Sequence, residues 1–256
     1  MRGPGSPWNG FLFLMAGLLG IPWCVGSAFA REGTSDGTGV AKSPVVVSSF
    51  AVDVSPPLNQ PVGLGFIPAA RTREHPLLAK GIVLRGSGKP VVLCAIDWME
   101  FHNDAFSLLQ ARIAEAAETV PSRVSLHCLH QHTAPALDPN AQMLMLPVDS
   151  PRRIATAAYL KSVADRIALA VRSALPRSRR VTHVGTSQAR IERMASSRRL
   201  LQKDGSIAAR MSSTKDPKLR SLPEGRIDPW LKTVTLSAGE QAVVQLHYYA
   251  THPQSF

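Results

Sequence analysis

Five of the eight histidines fall in two short stretches, each following an apolar run. The first stretch is His127-Cys-Leu-His130-Gln-His132-Thr-Ala-Pro135. Side chains alternate along a strand, so His130 and His132 face the same way if the extended chain persists through them. Two imidazoles on one face at a strand end can hold a metal ion together, or one can bind metal while the other handles protons. On spacing alone the pair reads equally well as surface or core histidines with no metal. His127 has the opposite parity. Cys128 shares the parity of His130, but it lies deeper in the strand and is disfavoured as a ligand. The second stretch, His247-Tyr-Tyr-Ala-Thr-His252-Pro253, repeats the arrangement. Pro253 biases His252 to an extended conformation. His247 and His252 have opposite parity and are not expected to act together. Two histidine-bearing strand ends favour a metal more than either one does.

Three further features could serve chemistry. Asp97 stands at the end of an apolar run, with Glu100 and His102 close behind. A carboxylate there can orient a ligand histidine, or it can cap the next turn or helix. Arg193 could hold an anionic or carbonyl oxygen, although its many basic neighbours do not single it out. Gly63 and Gly65 permit close backbone approach to a ligand or an ordinary turn.

The elements that must position these residues are legible from period and punctuation. Structure is expected from Pro44, with a strand over Val45–Val47. Gly81–Arg85 and Pro90–Ile96 read as a hairpin across Gly86-Ser-Gly-Lys89. Asn103 is a candidate N-cap for a helix from Asp104 to about Glu118, with Phe106, Leu109, Ile113, Ala116 and Ala117 on its apolar face. Arg123–His130 reads as a strand, and 131–148 as a loop with three prolines. Ser150-Pro151 opens a long helix as N-cap and N1, with Ile154, Ala157, Leu160, Val163, Ala164, Ile167, Val171 and Ala174 inward, and Pro176 stops it. Strands follow near 181–185, 232–236 and 242–249. This order predicts an α/β fold with a mixed β-sheet packed with helices.

The chain has 256 residues, of which 45% are hydrophobic, enough for a substantial core. Residues 1–30 read as a signal peptide: Arg2, the apolar run Phe11–Ile21, and cleavage after Ala30 in Ala28-Phe-Ala30. The alternative is an uncleaved anchor, although the run is shorter than the ~20 residues of a membrane span. Residues 31–43 read as a flexible linker, and 44–256 as the folded part. The expected location is secreted or periplasmic. Cys24 leaves with the signal peptide; Cys94 and Cys128 sit in strand-like runs as small buried hydrophobes, and their spacing does not decide whether they pair. The formal charge is +11, with much of the excess between Arg190 and Arg226. A basic balance attracts nucleic acid, acidic polysaccharide or anionic lipid. Export and the lack of a nucleic-acid-binding signature argue against nucleic acid, and a solvated basic face is the reading preferred for the segment.

The two histidine segments, in this order and at about this separation, resemble those of the neutral/alkaline non-lysosomal ceramidase family. Leu129-His130-Gln-His132-Thr-Ala-Pro135 is similar to that family's Thr-His-Thr-His-Ser-(Gly/Ala)-Pro, and Tyr249-Ala-Thr-His252-Pro-Gln-Ser-Phe256 to its Phe-Ala-(Thr/Ile)-His-Pro-x-Ser-Met. Val52-Asp-Val-Ser-Pro56 and the glycines at 63–65 fit the family's opening more loosely. The resemblance covers roughly residues 48 to 256. It implies a Zn2+ ion bound by His130 and His252, with His132 beside it assisting catalysis. Arg193 is the best counterpart of an active-site arginine in an Asn-Arg-Ser-Pro segment, although Glu192-Arg193-Met-Ala departs from that motif. The family's other zinc ligands, a Glu and a Tyr, come later than residue 256. The chain is therefore expected to be the N-terminal portion of a larger catalytic domain, inactive by itself.

The resemblance implies a zinc-dependent amidohydrolase acting on the N-acyl bond of ceramide or a related lipid; the basic balance adds an expected loose association with an anionic membrane surface. Two alternatives stand beside it: a related hydrolase of a non-lipid amide, and a non-catalytic surface or binding protein with a degenerate site.

Overall fold

A computed structural model describes residues 43–60, 62, 67–211 and 214–252. The expected signal peptide, nearly all of the linker, Gly63, Gly65 and the Pro253–Phe256 end of the second motif lie outside the described residues. The elements begin with β1 (Val46–Asp53), β2 (Leu78–Arg85), β3 (Val91–Ile96), β4 (Glu100–Phe101), α1 (Asp104–Ala116), β5 (Val124–Cys128) and β6 (Ala136–Leu137). They continue with α2 (Pro139–Met145), α3 (Pro151–Ala174), β7 (Arg179–Arg180), β8 (His183–Arg190), β9 (Arg199–Leu201) and β10 (Ile207–Ala209). The last are α4 (Pro217–Ser221), β11 (Trp230–Ala238) and β12 (Gln241–Tyr248).

A five-stranded sheet in the order β5-β3-β2-β1-β7 forms the centre. It is mixed, because β3 and β5 are parallel while β1, β2 and β3 pair antiparallel. Period-2 alternation gives the sheet two apolar faces. Phe50, Ala79, Val83, Val92, Cys94 and Ile96 pack one face against α1 and α3. Val47, Ile82, Leu84 and Leu93 point the other way and pack with Leu236, Val244 and Leu246 of a second, antiparallel sheet, β12-β11-β8. The result is three layers: helices, mixed sheet, small sheet. This is the expected α/β class. Among the described residues, no helix is long and apolar enough to cross a membrane.

The parallel β3–β5 pair matters most for function. Its register sets Ile96 beside Cys128, so the chain leaves both strands at the same sheet edge. Ligand sites in α/β sheets form where such loops meet. The pair also places Trp98, which is wholly buried. Its indole N–H donates to the Val54 carbonyl at 3.0 Å, and the Tyr159 hydroxyl donates to the same oxygen.

The expected elements form, with corrections. Asn103 stands before α1 but does not cap it; its φ is 51° and its amide donates to the Asp138 carboxylate. The Asp104 N–H of that first turn is met by Asn140 instead. Ser150 likewise makes no side-chain cap, while Pro151 takes N1 as expected. The expected loop 131–148 contains β6 and α2. Its start signal was present: Asp138 accepts the Ala141 N–H and Pro139 stands at N1. Ala157 of α3 is exposed; among the described side chains of that helix, packing on the core begins at Tyr159 and Leu160.

The basic segment folds locally into the β9–β10 hairpin and α4. Arg210 is only 8% exposed and is not part of a solvated face. Its guanidinium donates to the carbonyls of Ser197, Leu219, Leu222, Pro223 and Glu224. Cys94 and Cys128 are free, and burial pushes the Cys94 thiol up to about 12.

Candidate metal centre

β5 continues its pairing past Cys128: the Leu129 N–H donates to Ile96 and the His130 N–H to Trp98. There the chain reverses, with His130 at φ 61°. This left-handed conformation is uncommon for a residue with a Cβ. The extended chain therefore does not persist from His130 to His132, and strand parity is not what brings the two rings together. The turn is. The His130 ring is held by its own hydrogen bond, Nδ1 to the Met99 carbonyl at 3.0 Å. A carbonyl only accepts, so Nδ1 carries the proton and Nε2 keeps the lone pair that a metal needs.

His252 arrives from the end of β12 and joins this pair. The His130–His132, His130–His252 and His132–His252 centroids are 4.9, 4.8 and 4.6 Å apart, with the rings close to perpendicular in each pair. His132 Nε2 lies 3.2 Å from His252 Nε2. One ligand nitrogen from each of the three residues lies within 4.8 Å of the others. A tetrahedral zinc ion with Zn–N bonds of about 2.0–2.1 Å holds its nitrogens about 3.3 Å apart. The donor set therefore fits a divalent transition-metal ion, since neutral imidazole suits zinc, copper, iron and nickel. In position, His132 is the equal of the other two.

Burial and neighbouring charge shift two of the three rings toward the neutral form. Desolvation lowers the pKa of both His132 and His252 below the ordinary 6.5. For His132 the charges of His130 and Arg198 push the same way, and Glu100 opposes them. For His252, Arg198, His132 and His130 add to the lowering. Neutral imidazoles near neutral pH are the ligand form.

Most of the remaining candidates have partners of their own. Asp97 Oδ2 accepts the Leu78 N–H at 2.9 Å, so it caps the start of β2. Glu100 is the carboxylate whose charge acts on His132, and it also lies 3.4 Å from His102. His127 is exposed on β5, and His247 Nδ1 bonds Thr233 at 2.8 Å. Arg193 is exposed at φ 63°, with its N–H donating to Glu224. Arg198 is the arginine whose charge bears on two of the three rings, and nothing in the sequence distinguished it from its basic neighbours. The Trp98–Met99 backbone was also missed; its position one strand away from β5 was the available signal.

No protein-family model matches the chain, and no curated protein does. Solved structures do. The neutral ceramidase from Pseudomonas aeruginosa superposes with a TM-score of 0.59 at 15% identity, over 82% of this chain and 32% of that one. A ceramidase complexed with C2 gives 0.55 at 15% identity, over 82% and 31%. The chain has a ceramidase-like fold, and it spans about a third of the length of these structures.

Proposed function

We propose that this chain supplies the N-terminal part of the catalytic domain of an exported, zinc-dependent amidohydrolase that cleaves the N-acyl bond of ceramide or a related lipid. The observation that carries this reading is the convergence of His130, His132 and His252 within 4.8 Å in a ceramidase-like fold. Export is supported by the basic, apolar and small-residue pattern of residues 1–30.

Hydrolysis adds water to the amide carbonyl carbon and breaks the C–N bond, giving a fatty acid and an amine. His130 and His252 hold the ion, with His130 oriented through Met99. Zinc in such a site polarises a carbonyl and acidifies water. His132, perpendicular to both rings, either completes the ligand set or takes the proton of the attacking water and passes it to the departing amine. The Arg198 charge favours negative charge building on the carbonyl oxygen. Arg193, the arginine selected by resemblance, is proposed to approach the substrate.

The test uses the complete protein and reads zinc content and fatty-acid release separately. His130→Ala and His252→Ala should each lose zinc and cut hydrolysis by more than the 10–100-fold typical of an outer-shell residue. Zinc and activity retained in either variant sink the assignment. Ceramide and non-lipid amides are assayed in parallel. Turnover of the non-lipid amide alone moves the substrate class, and zinc binding with no turnover of either makes this a binding protein.

A further inference from the structure

Two parallel ladders meet at the metal centre, and the histidine loop is extruded where they join. The first is β3–β5, which sets Val92–Ile96 beside Val124–Cys128. Past β5, the Leu129 N–H donates to Ile96 and the His130 N–H to Trp98. The second ladder is β4–β6, with Glu100 beside Ala136 and Phe101 beside Leu137. The Met99 N–H opens it by donating to the Pro135 carbonyl at 3.0 Å, and the Glu100 N–H reaches the same oxygen at 3.4 Å. On one chain the last bond of the first ladder and the first bond of the second fall on consecutive residues, Trp98 and Met99. On the other chain they fall on His130 and Pro135. Residues 131–134 lie between the ladders and form the loop that carries His132.

The two feet of this loop stand on a single peptide group. The Trp98 carbonyl accepts the His130 N–H at 3.0 Å, and the N–H of that same group, which belongs to Met99, donates to Pro135. A trans peptide is planar and turns its C=O and N–H to opposite edges. The loop therefore straddles one rigid plate, and a rotation of the plate moves both feet at once. The next carbonyl along, that of Met99, holds the His130 ring. A ligand histidine held through its other nitrogen is fixed in ring orientation and in tautomer.

The plate is oriented by the Trp98 side chain. That side chain is wholly buried, edge-on to Phe101 with centroids 6.2 Å apart and tilted against Tyr159 at 5.7 Å. Its one polar group, the indole N–H, is a donor only. It donates to the Val54 carbonyl at 3.0 Å. Val54 is wholly buried as well, and its N–H donates to Leu77 at 2.8 Å, so the anchor is held between β1 and the start of β2. The Tyr159 hydroxyl donates to the same Val54 oxygen, which keeps a donor if the indole is removed. An apolar ring would fill this part of the core; the N–H adds a direction.

We propose that Trp98 is a positioning residue of the metal centre: its indole, bonded to Val54, orients the Trp98–Met99 peptide and through it sets the His130 tautomer and the place of the loop that carries His132. That this orientation serves metal binding rests on the proposed function; the orientation of His130 itself needs no ion.

The test uses the complete protein labelled with 15N at histidine, metal-free and at about pH 8, where imidazole is neutral. His130→Ala identifies the His130 signals by their loss. Wild type should show His130 with its proton on Nδ1 alone. Trp98→Phe should mix the two tautomers and weaken zinc binding at least about tenfold, the lower end of the range for outer-shell residues. Gly81→Ala is the control for stability: it strains the central sheet away from the plate and should keep the wild-type tautomer and zinc affinity. A Trp98→Phe protein that is only less stable, with the tautomer and zinc affinity of wild type, overturns the proposal. Where Trp98→Phe does not fold, replacing the Trp98 indole by benzothiophene keeps the ring shape and removes only the N–H. A single Nδ1–H tautomer in that protein overturns the proposal, and a mixture upholds it. Because the tautomer is read without metal, a wild type that binds no zinc sinks the proposed function separately from this inference.

Discussion

His130 combines three tasks in one residue: its N–H continues the β3–β5 edge, its φ of 61° turns the chain, and its ring faces two other imidazoles. Backbone and ligand roles can be separated by the substituted residue. Alanine keeps the strain of a left-handed Cβ, about 1–2 kcal/mol, while glycine removes it. His130→Gly should therefore lose the metal as His130→Ala does, yet unfold at a higher urea concentration than His130→Ala. The histidines also set a pH dependence. The folded pKa values of His132 and His252 lie below the ordinary 6.5, chiefly through desolvation. As pH falls through 6.5, the unfolded chain takes up protons first, so metal-free stability declines until the lowered folded values are passed; above 6.5 the pair adds no slope. Urea midpoints between about pH 8 and 5 should show this decline, and a His132→Gln, His252→Gln variant should flatten it. Zinc affinity should fall in the same direction, because the ligand form is neutral.

At the scale of elements, two contacts hold the layers that present the site. Gly81 of β2 lies under the Phe50 ring, and a Cβ there would meet that ring and, at 2.5 Å, the Leu93 carbonyl. Backbone cannot yield as a side-chain end can, so Gly81→Ala should cost about 1–3 kcal/mol in denaturant unfolding through overpacking of the central sheet. Arg210 organises residues 197–224 through five carbonyls and receives the chain next to Arg198, whose carbonyl accepts the Arg210 N–H. Arg210→Ala strands those acceptors. It should open this segment by about 2–3 kcal/mol in hydrogen exchange while the β1–β3 amides keep their protection. The elements show how far local signals reach. The α3 apolar period and the β2–β3 hairpin were legible, because each is a pattern that neighbouring residues impose on themselves. Helix α2 was not, although Asp138-Pro139 marks its start, because its apolar side faces outward and gives no inward period to read.

At the scale of the molecule, the candidate centre joins distant parts of the chain: His252 lies 120 residues beyond His132. An ion bound by both ties the end of β12 to the end of β5. A ligand at about 100 times its Kd adds about 2.7 kcal/mol to stability. Zinc should therefore raise the unfolding temperature, a chelator should reverse the gain, and His252→Ala should abolish it while leaving the metal-free melt close to that of wild type. Such a result would show the ion acting across the fold and not on the β5 turn alone.

Alone, the sequence was sufficient to mark His130, His132 and His252 as the residues to watch and to set the α/β class, because ligand types and apolar periods are local properties. It could not say that His132 stands level with the other two, that Arg198 acts on them, or that Met99 fixes a tautomer. Those facts depend on two parallel strands ending side by side and on a left-handed turn that breaks alternation. Spacing along a chain reports direction only while the chain stays regular, and this site forms where it stops being so.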